Sequence, residues 1–84
     1  MTVQQFFNLN LVSENQCIAL KILNDDEIKV DFRYQHKIED IEEYLKDYAD
    51  WNIAYFSTKI IQHLGFDPKS YLIIHLYRKT KGEN

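Results

Sequence analysis

The chain has one cysteine, one proline and two glycines among its 84 residues. With Cys17 alone, no disulfide can close within the chain, and secreted domains of this size usually depend on several. Scarce Pro and Gly exclude collagen-like, flexible-linker and low-complexity chains. Cys17, His36, His63 and His75 show no Cys-x-x-Cys, His-x-x-x-His or His-Glu-x-x-His spacing, so neither a metal nor another cofactor is expected. Gly65 and Gly82 alone cannot build a phosphate-cradling loop or a nucleophile elbow. No pocket, nucleophile or base is legible beyond a chance grouping of Arg33, Tyr34 and His36, and the chain is expected not to be an enzyme. The longest apolar stretch, Tyr71 to Tyr77, is broken by His75 and falls far below the roughly 20 residues of a membrane-spanning helix. The first residues carry no basic segment leading into an apolar run. A cytoplasmic protein with no membrane contact is the expectation.

What is present is ordinary in bulk and unusual in detail. Apolar residues make up 45% and charged residues 27%, with a net charge of −3. That sign argues against a basic nucleic-acid-binding arm. The length allows one small domain over residues 1–84, with a frayed tail at 79–84. Such a chain buries only about 60% of its unfolded surface. Stability of roughly 4–13 kcal/mol follows from its length. Six Tyr, five Phe and Trp51 are many large rings for so thin a core, so some should reach the surface.

Periodicity places the elements. Phe7, Leu9 and Leu11 alternate with Asn8 and Asn10, which predicts a strand; the alternative is a short helix through Leu9 capped by Thr2. Ile18, Leu20 and Ile22 share a face of a second strand, and Ile28, Val30, Phe32 and Tyr34 a face of a third. Opposing Ile22 to Ile28, Leu20 to Val30 and Ile18 to Phe32 needs the loop Asn24-Asp25-Asp26, with a left-handed residue at its end, a conformation Asp tolerates. Leu11 would pair with Ile18 and Leu9 with Leu20 across a Glu14-Asn15 turn, completing an antiparallel meander.

Ile38, Ile41, Leu45 and Tyr48 form a helical stripe starting near His36 or Lys37. Asp50 can cap a second helix carrying Ile53, Phe56, Ile60, Ile61 and Leu64, unless one bent helix runs through. Gly65 then supplies the left-handed stop and Asp67-Pro68 prevents continuation. Residues 70–78 read as a final strand. The fold class expected is α+β: a three-stranded antiparallel meander, one bent or two short helices, then a C-terminal strand completing a four-stranded sheet (βββααβ).

Three constellations stand out. Tyr71, Ile73, His75 and Tyr77 share the face of the last strand turned away from the helices, and an apolar row left in water marks an interaction site. It could serve as a homodimer face, unless Phe6 or Val12 folds over it. Asp40, Glu43, Asp47 and Asp50 recur at helical spacing, and residues 37–50 hold six carboxylates against Lys37 and Lys46. This stripe is either a solvated helix face, with Glu42–Lys46 as an ordinary pair, or a steering surface for a basic partner. It could also imitate a nucleic-acid backbone. Lys21, Lys29, Arg33, Arg78 and Lys79 gather on the open sheet face and the C-terminal end, with Lys21 opposite Lys29. With Tyr71 and Tyr77 nearby, they offer nucleic-acid contact as the rival reading. The primary expectation is a non-enzymatic macromolecule-binding domain of inhibitor, adaptor or immunity type, whose partner is a protein with a basic surface.

Overall fold

The computed structural model describes residues 1–35 and 38–79, and the side chains of all of these except 38–41. The expected helix start at His36 or Lys37, the tail from 80 onward and the side chains of Ile38, Asp40 and Ile41 lie outside that description. The chain is α+β: α1 (Val3–Asn8), β1 (Cys17–Ile22), β2 (Ile28–Arg33), α2 (Ile38–Leu45), β3 (Ile53–Ile61) and β4 (Lys69–Leu76). The strands form one mixed sheet in the order β2-β1-β4-β3. β1 runs antiparallel to β2 and parallel to β4, and β4 antiparallel to β3. The expected meander followed by helices is therefore corrected to two hairpins joined by a central parallel pair.

At the N-terminus a local signal wins over alternation. Thr2 accepts from the Gln5 backbone N–H at 3.2 Å while Gln5 Oε1 accepts from the Thr2 backbone N–H at 2.9 Å. This capping box starts α1 and outweighs three alternating apolar residues. Phe7 is buried, but Leu9 and Leu11 point to solvent, so neither pairs with β1. The N–H groups of Val3 and Gln4 donate to the Trp51 and Ala49 carbonyls at 3.0 and 2.9 Å, satisfying donors that a helix start leaves open.

The first hairpin follows its expected register at Ile18↔Phe32 and Leu20↔Val30. A bulge then shifts it, so Lys21 rather than Ile22 opposes Ile28. The left-handed residue is Asn24, at the start of the loop rather than at its expected end, with φ 67°. The largest correction is the proposed second helix, which is the nine-residue strand β3. Its Tyr, Phe, Thr and Ile side chains suit a pleated surface, and this local preference prevails over helical spacing. Gly65 remains left-handed at φ 83°, but within the β3–β4 loop.

One face of the sheet carries the main core. Ile18, Leu20, Phe32, Ile74 and Leu76 meet Val3, Phe6 and Phe7 from α1 and Leu45 from α2. Trp51 packs at its margin, as a core corner. The molecule measures 42 × 29 × 19 Å. Its thin dimension matches one helix layer on one sheet.

Candidate functional site

On the face turned away from α1, alternation sets Arg33 and Asp31 of β2 beside Cys17, Ala19 and Lys21 of β1. Next come Tyr71, Ile73 and His75 of β4, then Ile61, Lys59, Ser57 and Tyr55 of β3. Because β4 is an inner strand, its row is flanked on both sides. Tyr71 and Ile73 are each only 5% exposed, packed with Ala19, Cys17 and Ile61. Burial, reinforced by the Asp31 charge, pushes the Tyr71 phenol above its ordinary pKa. Tyr77 is exposed, past the end of β4. The expected four-residue bare row is thus corrected: no described helix packs on it, yet neighbouring strands enclose half of it.

His75 is half-buried, stacked on Tyr55 with ring centroids 4.1 Å apart. Its Nε2 lies 2.7 Å from Ser57 Oγ. Burial, then the Lys21 charge, lower the His75 pKa, so the ring is neutral at pH 7. A neutral ring protonated at Nδ1 accepts the Ser57 hydroxyl, the contact a nucleophile makes with its base. The orienting group such a pair uses is a carboxylate, and the charge felt at His75 is a lysine's instead.

The acidic stripe does not lie along one helix. α2 ends at Leu45, where the chain turns: Tyr48 N–H donates to the Leu45 carbonyl, and Trp51 N–H to that of Tyr48. Glu43 is helical and exposed, 3.4 Å from Lys46, so Glu43 takes the pairing expected of Glu42. Asp47 and Asp50 belong to the turns. Lys79 binds Asp50 and holds its carboxyl below the usual range.

The basic set is largely matched to carboxylates. Lys29 sits 3.2 Å from Asp25 and 3.3 Å from Glu27. The bulge removes the expected Lys21–Lys29 opposition. Arg78 reaches Asp25 at 3.7 Å. The Glu27 backbone N–H, then Lys29, hold the Asp25 carboxyl below its ordinary pKa. Arg33 lines an open cleft of about 310 Å³ with Asn15, Gln16, Cys17, Lys69 and Ser70. Gln16 Nε2 ties its walls by donating to the Cys17 and Ser70 carbonyls.

Spacing alone missed the β3–β4 arm. Past Phe56, which touches Phe6 at 4.9 Å, α1 no longer covers the sheet. There Ile60 is 72% exposed, Leu64 100% and Phe66 69%. The strand-favouring run from Ile53 to Ile61, followed by Leu64-Gly65-Phe66, was the available signal.

Fold and surface together define a small α+β protein with a mixed sheet, one layer of helices and an apolar arm. The chain matches no protein-family model, no curated protein and no solved structure. Among the described residues, no helix is long and apolar enough to cross a membrane, and no three or more His, Cys, Asp or Glu side chains group as metal ligands.

Proposed function

We propose that this chain is a non-enzymatic protein-binding domain that docks through its β3–β4 arm. The observation that carries the reading is the bare apolar tip of Ile60, Leu64 and Phe66, projecting beyond the helix layer. Large apolar side chains clustered in water are characteristic of interaction sites. Exposed Tyr55 and Tyr77 add amphipathic rings toward the base of the arm. Glu43 and Asp47, both exposed, steer approach toward a partner with basic character. Nucleic acid is the less favoured partner, because Lys29, Arg78 and Lys79 already face Asp25, Glu27 and Asp50.

The test is photo-crosslinking from position 64 in the native host, beside a Phe66→Ser control. A discrete protein adduct that weakens in the control is expected. Adducts equally strong in the control would refute the arm as the docking surface. Salt-dependent oligonucleotide binding that disappears in Lys21→Glu and Arg33→Glu would replace this reading with the nucleic-acid one.

A further inference from the structure

The backbone of β3 narrows the partner of that arm to one candidate. Tyr77 N–H donates to the Asn52 carbonyl on one side of β4, while the Leu76 carbonyl accepts from Leu23 N–H on the other. Odd-numbered β4 residues therefore turn their backbone groups toward β3, and even-numbered ones toward β1. Their β3 partners are Tyr55, Ser57, Lys59 and Ile61, which face His75, Ile73, Tyr71 and Lys69. The backbone N–H and C=O of Phe56, Thr58 and Ile60 are left pointing away from the sheet.

This outer edge is closed at one end only. Ile53 N–H donates to the Met1 carbonyl at 2.8 Å and Val3 N–H to the Trp51 carbonyl, so residues 1–3 occupy the edge beside residues 51–53. From the bulge at Ala54 to Ile61 no described residue pairs with the edge, and β3 carries a single charge there, Lys59. Proteins usually blunt such an edge with charge, proline or cover.

We infer that two copies of this chain pair antiparallel through β3, with the symmetry axis at Thr58, joining their sheets into one. The inference rests on the arm being a docking surface and names its occupant. In this register Phe56 faces Ile60 of the second copy, Thr58 faces Thr58, and Ile60 faces Phe56. These are the three outward-facing positions, so every outward N–H and C=O among them finds a partner. Phe56, 42% exposed in the single chain, gains Ile60 of the other copy as a cross-strand neighbour. Lys59 lies opposite Ser57, so no like charges meet directly across the ladder. The strand of the second copy ends where Met1 blocks the edge, so the open length matches the strand that fills it. Its loop, with Leu64 and Phe66, then reaches exposed Met1. Symmetric pairs with one self-complementary patch are the commonest form of small-protein assembly.

Sedimentation of the full chain from about 5 to about 500 µM tests the pairing over the range suited to a small interface. The dimer fraction is expected to rise with concentration. Thr58→Pro removes an outward N–H and sets a ring into the interface without removing a donor to β4, so a folded monomer is expected. Ile60→Lys, at a position already exposed, is expected to weaken dimerisation about tenfold or more and tests the pairing even if the proline variant fails to fold. Amide exchange adds a pattern that other interfaces lack. Phe56, Thr58 and Ile60 should gain protection with concentration, while Ser57, Lys59 and Ile61 should be equally protected throughout. A monomer at every concentration, or a dimer unmoved by Ile60→Lys, would overturn the inference. Either result leaves the arm open to a different protein, which the crosslink from position 64 reads independently.

Discussion

At one edge of the sheet β2 is six residues long and three are charged: Lys29, Asp31 and Arg33. Asp25 leads into it and gathers Lys29 and Arg78, while Tyr44 of α2 stacks on Phe32 at 4.9 Å. At the other edge β3 runs for nine residues with Lys59 as its one charge, and beyond Phe56, which meets Phe6, Thr58 and Ile60 are exposed. The two strands expose the same kind of backbone edge and treat it in opposite ways. Charge, a bulge and a helix protect β2 against further pairing, whereas β3 keeps its groups available. This contrast, and no motif, is the ground for proposing β3 rather than β2 as the docking edge.

The contrast can be broken from its shared foundation. Ile74 is fully buried in β4, one of the two inner strands that hold the edges together. Ile74→Ala should cost about 2–5 kcal/mol, a large share of the stability of so small a chain, read as a fall in the urea midpoint. Both edges should then lose amide protection together.

The next test bears on the β3–β4 pair, where His75 of β4 meets Ser57 and Tyr55 of β3. The His75 pKa is lowered in the folded protein by burial and Lys21, so folding favours the neutral ring. Its contribution is complete above the unfolded value of about 6.5 and is lost as pH falls through that value toward the folded one. Melting from pH 7.5 down to 5.5 should show a falling Tm. The fall should shrink in His75→Gln, which cannot titrate. An identical pH profile in the two proteins would mean that burial of the His75 ring beside Lys21 does not couple its titration to folding.

The smallest effect belongs to β2. Asp25→Asn removes a charge partner from Lys29 and Arg78 at a partly exposed surface site, so stability should fall only slightly and less in high salt. Because its carboxyl pKa is lowered, the wild-type advantage is present above the carboxylate range and should disappear as pH falls toward 3. A pH-independent difference would point to the Glu27 N–H contact rather than to charge.

How much of this was readable beforehand depended on burial. The alternation of Ile28, Val30 and Phe32 against β1 gave a register that holds at two positions, because both strands bury that face. The face of β3 beyond α1 is not buried, so no clean two-residue period was imposed there. Its apolar residues fell by chance at helical spacing, and the expected helix followed from that accident. The acidic stripe failed for a related reason: Asp47 and Asp50 keep helical spacing after the helix has ended at Leu45. The Tyr71–Tyr77 row was legible as a face, but its burial required knowing that β4 is an inner strand. Ser57–His75 joins residues whose spacing carries no motif, and only strand pairing brings them together.

The parallel β1–β4 pair also governs the order of assembly. Gln16, the residue before β1, bonds Ser70, 54 positions later. Each hairpin can close early by itself, but the seam between them waits for the last strand. With so distant a join at its centre, the chain should have a high contact order for its size and fold more slowly than a helical bundle of equal length. During synthesis β1 has an unpartnered side until residues 69–76 emerge, which makes the nascent N-terminal half its aggregation-prone stage.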